Sequence, residues 1–255
     1  MFTFTKLGQF GAFGNQLFEV AATIGIARKH GQDFIFPEWA HGSYFREPVP
    51  QTTCKIDPDL VIGQLCFHYL DIQIATSPSC LIDLRGHFQS ERFFLNAHEL
   101  VRAHFAPHPS IAGQIMELHG ETLSHESPCI IVARRGDYAQ FPHQHPMLPA
   151  DYYARAMSLF PPDTRYIVTS DDIEWCRANV RAANITYLPQ KEWRLNFFIG
   201  TMCRHAIISN TTFGWWIAWL NAHPDKRVIA PKPWFGPGLA RLRTDDLLPP
   251  DWITI

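Results

Sequence analysis

The stretch Cys129-Ile-Ile-Val-Ala-Arg-Arg-Gly-Asp-Tyr138 decides how this chain is read. Ile130, Ile131, Val132 and Ala133 form an unbroken apolar run, the pattern of a strand covered on both faces. Polarity then changes at once, to Arg134, Arg135, Gly136 and Asp137. In open α/β sheets, ligands sit beyond the carboxyl ends of the strands. An arginine there offers a rigid fork of donors matched to phosphate oxygens. A structural Arg–Asp ion pair at a strand end would leave the same pattern. The Arg-Gly-Asp tripeptide closes a buried strand instead of sitting on a loop tip, which argues against an adhesion motif.

Downstream the pattern is strand and helix in alternation, which predicts a parallel sheet with helices on both faces. Residues 165–169 read as a strand followed by Ser170-Asp171-Asp172, and 206–209 as a strand followed by Asn210-Thr211-Thr212. An apolar helix then runs over 213–221, and its Trp215, Trp216 and Trp219 read as core. If the sheet is doubly wound, Arg134/Arg135, Ser170/Asp171 and Thr211/Thr212 converge on one edge. Basic forks, hydroxyls and the positive end of a helix dipole in one crevice describe a nucleotide-diphosphate site. Asp171 with Glu174 is also a helix-capping pattern, and the threonines also suit an ordinary N-cap.

Upstream, residues 2–7 read as a strand, 8–18 as a glycine loop entering a helix that ends near His30 with Gly31 as its cap, and 33–36 as a second strand. The glycines Gly8, Gly11 and Gly14 are spaced G-x-x-G-x-x-G. A dinucleotide fingerprint needs G-x-G-x-x-G, so a nicotinamide-dependent oxidoreductase is disfavoured. Asn15 reads either as the helix cap or, with Gln16, as a polar donor facing a cleft. Strands are expected at 66–74 and 80–84, residues 85–94 leading into a helix that runs to about 104, another helix over 111–123, and a boundary between two halves at 124–128. His143 and His145 could ligate a metal, but no carboxylate accompanies them.

Composition sets bounds on function. The 255 residues are 46% hydrophobic, ample for one large domain or two smaller ones, and the formal net charge is -2, too small to attract nucleic acid. The six cysteines form no C-x-x-C, so neither a zinc site nor a disulfide framework is indicated. No apolar stretch reaches the ~18 residues a membrane span needs, and the first residues alternate like a strand rather than a secretory leader. A cytosolic setting with reduced thiols is expected.

Six blocks, in order, resemble the family 11 glycosyltransferases, the α-1,2-fucosyltransferases of the bacterial type. They are GAFGNQLFEVAA (11–22), LRGHFQSERFF (84–94), IVARRGDY (131–138), MLPADYYARAM (147–157), TSDDIEWC (169–176) and CRHAIISNTTFGWWIAWLN (203–221). The resemblance implies an α/β, GT-B-like fold: two Rossmann-like halves with parallel sheets facing a central cleft. Residues 1–126 would form an acceptor-side domain with the Gly-Asn-Gln loop, and 127–255 the donor-binding domain. It implies inverting transfer of L-fucose from GDP-β-L-fucose to the 2-hydroxyl of a galactoside, with no metal or other cofactor. Arg134 matches the arginine on the donor diphosphate and, with Asn15 near the reacting sugar, would be catalytic. Arg135, Asp137, Thr212 and Phe213 match donor-side positions, and Ser170, Asp171 and Thr211 join them from the strand-end pattern. Gln16 and His87 fall on the acceptor side. The acceptor would be a galactose-containing glycan, and peripheral contact with the inner face of the cytoplasmic membrane is expected.

Two positions depart from the family pattern. Its histidine before the first arginine is Val132 here, and an acid expected to read guanine is Asn196. Asn196→Asp is therefore expected to tighten GDP binding. The departures keep two alternatives open: the same scaffold with another nucleotide-sugar donor, and a non-catalytic nucleotide- or sugar-binding protein.

Overall fold

The computed structural model describes residues 1–75, 77, 79–124 and 128–255. The boundary expected at 124–128 falls largely outside them. The chain forms two compact units, Met1–Pro109 with Leu242–Pro250, and Ser110–Arg241 with Asp251–Ile255.

The first unit begins with β1 (Phe2–Thr3), a glycine loop and α1 (Phe13–Lys29). α1 is buried along almost its whole length, and Gly31, at φ +63, lets the chain turn after it. β2 (Phe36–Pro37) pairs in parallel with β3 (Gln51–Thr52). β4 (Leu60–Gly63) and β5 (Ile82–Arg85) join β1 in a three-stranded parallel sheet of order β1-β5-β4. The strand expected at 66–74 does not form. The sheet edge is taken by β4, and 66–74 instead folds as bends, with Tyr69 packed on Phe93 at 4.8 Å and beneath the Arg92 guanidinium. Residues 85–94 lead into a helix ending at His104, as expected. Gly86 (φ +154) and Phe88 (φ +47) leave the right-handed helical region, so two 3-10 turns precede α2 (His98–His104).

The second unit opens with α3 (Pro109–Leu123), then β6 (Cys129–Ala133), α4 (Ala150–Met157), β7 (Tyr166–Ser170), α5 (Ile173–Asn179) and β8 (Ile185–Tyr187). α6 (Trp193–Met202), β9 (His205–Ile208), α7 (Thr212–Leu220), β10 (Val228–Ala230) and β11 (Ile253–Thr254) complete it. The six strands are all parallel, in the order β11-β10-β9-β6-β7-β8. β6 is buried at all five residues because it is central and covered on both faces, as its apolar run predicts. On one face Tyr152, Tyr153, Ala156, Cys176 and Val180 from α4, α5 and the end of α5 seal the core. On the other, α6 and α7 pack closely: a Cβ at Gly200 would lie 2.7 Å from Ile217. Trp215, Trp216 and Trp219 are buried core, as read from the sequence.

This strand order reverses direction between β6 and β9. A crevice opens at such a switch point, beyond the carboxyl ends of the two strands. The two residue groups at those ends are Arg134–Asp137 and Asn210–Phe213.

Candidate functional site

The Arg134 guanidinium is fixed by two carboxylates. One nitrogen donates to Asp137 at 2.7 Å and the other pairs with Asp171 at 3.1 Å. Two of its five N–H groups are thereby engaged, and its side chain stays about one-third exposed (34%). Asp171 also accepts the Arg135 main-chain N–H at 2.8 Å, so one carboxylate holds both arginines. The Arg135 guanidinium lies flat on Trp175, 3.7 Å from the ring centre, and pairs with Asp172 at 3.6 Å.

The expected capping pair resolves differently. Asp172, not Asp171, caps α5, accepting the Trp175 N–H at 3.1 Å. Asp171 is left for the arginines. Ser170 takes the Asp172 N–H at 3.0 Å, which sets the turn that aims both aspartates. Gly136 is required by close approach: a Cβ there would sit 2.5 Å from the Asp171 Oδ2. That oxygen is held by Arg134, so it cannot yield without breaking the pair. Gly136→Ala is expected to weaken binding of a nucleoside diphosphate roughly 10- to 100-fold, the loss of one charge-assisted contact, read by calorimetry.

The neighbouring strand end supplies the helix terminus. Thr211 caps α7, its hydroxyl accepting the Gly214 N–H at 3.0 Å. The first-turn N–H groups of Thr212 and Phe213 have no intrahelical acceptor by geometry, and they carry the positive end of the helix. Val132, in place of the family histidine, is an apolar seat for this turn: a Cβ at Gly214 would lie 3.3 Å from its side chain. Phe213 packs against Phe197 at 5.3 Å.

Asn196 is only 1% exposed, and its amide N–H donates to the Pro189 carbonyl at 2.9 Å. The gain expected from Asn196→Asp meets an obstacle here, because the exchange removes that donor and sets a carboxylate against a carbonyl oxygen. The variant is expected to lose ~1–3 kcal/mol of stability, seen as a lower melting temperature, with no gain in GDP affinity.

Several residues at this site escaped the sequence reading. Tyr138 donates its hydroxyl to the Asn210 carbonyl at 2.9 Å, and burial pushes its pKa up to about 12, so it stays a neutral donor. His145 stacks on the Tyr138 ring at 4.8 Å. Asn210 is 2% exposed, and its amide ties the Pro146 and Trp234 carbonyls together. Tyr138 belongs to the quoted arginine stretch, but nothing in the spacing marks Asn210 or His145 as its partners. Among the described residues no group of three or more His, Cys, Asp or Glu could hold a metal ion.

In the first unit Asn15 is the third residue of α1, not its cap, and Ala12 stands at the N-cap position. Asn15 donates to the Phe10 carbonyl at 3.3 Å and accepts from Gln89 at 3.1 Å, which joins the 11–22 and 84–94 blocks. Gln16 is buried, donating to the Gly11 carbonyl at 3.2 Å and accepting the Trp39 indole N–H at 2.8 Å. It is a brace for the loop. His87 is exposed, with its ring edge toward Phe10 at 6.2 Å. Gly8 (φ +84) and Gly11 (φ +114) are left-handed, and a Cβ at Gly11 would collide with the Asn15 amide at 1.9 Å.

Residues 72–255 match the family model described as glycosyl transferase family 11. An Escherichia coli O-antigen biosynthesis glycosyltransferase, WbnK, is 35% identical over 133 residues, covering 48% of this chain and 42% of that protein. Galactoside α-(1,2)-fucosyltransferase 1 of Plecturocebus brunneus is 28% identical over 232 residues, 82% of this chain and 63% of that protein. An E. coli α-1,2-colitosyltransferase is 27% identical over 189 residues, 68% of this chain and 62% of that protein. The chain thus spans between 42% and 63% of the length of these relatives. Among solved structures, the α-1,6-fucosyltransferase NodZ soaked with GDP-fucose superposes with a TM-score of 0.54 at 12% identity, over 86% of this chain and 92% of that one. The shared fold is GT-B-like, with parallel sheets in α/β units.

Proposed function

The chain belongs to glycosyltransferase family 11, and from that premise we propose that it is an inverting α-1,2-fucosyltransferase acting on GDP-β-L-fucose and a galactoside. The observation that carries this reading is Arg134, held between Asp137 and Asp171 at the sheet's switch point beside the start of α7. Its remaining N–H groups and the first-turn amides of α7 suit the two phosphates of a nucleoside diphosphate.

In the reaction, the acceptor 2-hydroxyl oxygen forms a bond to the anomeric carbon as the carbon–phosphate oxygen bond breaks. GDP leaves with the electron pair, and the hydroxyl proton passes to solvent or a base. Charge develops on the leaving diphosphate, and Arg134 is placed to stabilise it without reorganising. Arg135, Asp137, Ser170, Asp171, Thr211, Thr212 and Phe213 shape that donor site. Asn196 supports it by holding the Pro189 carbonyl. Asn15, Gln16 and His87, on and beside the glycine loop, serve the acceptor side, so the first unit is the acceptor half and the second unit the donor-binding half. The reaction needs no metal, because Arg134 and the helix terminus take that role. The WbnK relative, named for O-antigen biosynthesis, supports a bacterial cell-surface glycan as acceptor. Among the described residues no helix is long and apolar enough to cross a membrane.

A second reading keeps the scaffold and changes the sugar, since one relative is named an α-1,2-colitosyltransferase. Titration with GDP, UDP and ADP in EDTA, followed by a transfer assay with GDP-fucose, separates these. Selective GDP binding in chelator and fucosyl transfer to lactose are expected. GDP binding without fucose transfer would favour the other sugar, and a preference for UDP would sink both readings.

A further inference from the structure

Three side chains of α1 reach back to the glycine loop that precedes it. Asn15 donates to the Phe10 carbonyl, Gln16 donates to the Gly11 carbonyl, and a Glu19 carboxylate oxygen accepts the Gly8 N–H at 3.4 Å. The spacing i, i+1, i+4 sets all three on the side of the helix that meets the loop. Gly8 lies at φ +84, and its N–H is the loop's entry point.

Glu19 differs from the other two in being ionisable. It is 0% exposed, and its second oxygen has no hydrogen-bond partner among the described residues. Burial raises its pKa to about 7, and the Gly8 N–H only partly offsets that. No charged side chain contributes to the shift. The ionisable groups on the elements against α1 include Lys6 of the loop, His41 against Phe13, Asp71 paired with Lys29, Glu91 and Arg92 of the 3-10 turn Glu91–Phe93, and His98, Glu99, Arg102 and His104 of α2. Arg92 lies over Tyr69, His98 pairs with Glu99 at 2.9 Å, and His104 contacts the Glu47 carbonyl at 2.7 Å. A glutamine could accept the same N–H without the cost of burying an unpaired carboxyl.

We propose that Glu19 is a positioning residue whose ionisation sets the grip of α1 on the loop at residues 8–16. Releasing the loop admits water to a carboxyl that burial otherwise keeps protonated, so the loop is held while Glu19 is neutral and loosened as it ionises above neutral pH. The consequence for acceptor binding rests on the reading of this loop as acceptor-side.

The test uses the full chain as wild type and Glu19→Gln, with GDP-fucose and lactose, between pH 6 and 8. In wild type the lactose KM is expected to rise about fivefold as pH rises across this range, with kcat and the GDP-fucose KM unchanged. In Glu19→Gln the lactose KM should be flat, because the amide oxygen accepts the N–H without titrating. Hydrogen exchange of residues 5–16, compared with 129–133 in the same sample, should show protection in wild type stepping down as pH rises through about 7, and no step in the variant. The exchange arm needs no turnover. If wild type transfers no fucose, the functional reading fails while exchange still decides the role of Glu19. A wild-type exchange profile without the step, or a Glu19→Gln profile that retains it, overturns the proposal.

Discussion

Arg134→Ala should lower fucosyl transfer by roughly 10³-fold and weaken GDP by roughly 10²-fold. In the proposed reaction the guanidinium meets charge as it develops on the leaving diphosphate, and a water cannot reproduce its fixed fork. The loss spreads inward, since Asp171 keeps the Arg135 main-chain N–H but loses its ion pair. Arg134→Lys preserves the charge without the geometry and should fall between wild type and alanine. Single-turnover kinetics give the transfer step and calorimetry the GDP affinity. Near-normal transfer by the alanine variant would remove Arg134 from the reaction.

The second large effect concerns stability. The Glu19 carboxyl titrates near 7 in the fold, against 4.5 ordinarily. Between those values the native chain binds more protons than the unfolded one, so stability falls as pH rises. The fall begins near the unfolded pKa and is complete above the folded one, and amounts to about 3 kcal/mol. Glu19→Gln has no such titration. Its melting temperature should therefore match wild type most closely near pH 5 and exceed it most at pH 8. An equal difference at both values would show that Glu19 does not titrate as its burial requires. A residue that costs stability at working pH is what a functional position leads one to expect.

The legible parts of this fold were those decided by near neighbours. β6 could be read from five residues because burial on both faces needs only apolar side chains in sequence. The glycine loop could be read from its spacing, and Thr211 from its place before an apolar helix. Part of what failed depended on partners far along the chain, and part on the direction a nearby turn imposes. Tyr138 meets Asn210 across 72 residues. The strand expected at 66–74 lost to β4, whose choice depends on β5. Asp171 and Asp172 are chemically alike, and only the turn made by Ser170 decides which caps and which binds. Asn196 could be named from the sequence, but its direction could not, because the Pro189 carbonyl sets it.

Residues 242–250 belong to the first compact unit although residues 110–241 of the second unit separate them from it in sequence. Asp246 accepts the Tyr69 N–H at 2.6 Å with its carboxylate and the Ser90 hydroxyl at 2.8 Å with its carbonyl. The loops these bonds close, across 177 and 156 residues, are entropically expensive and slow to form. During synthesis the N-terminal unit must therefore wait for residues 242–250 until translation has passed residues 110–241 of the second unit. The second unit in turn takes its edge strand from residues 253–254, so the two units are interleaved along the chain and each closes only after residue 241 has been made.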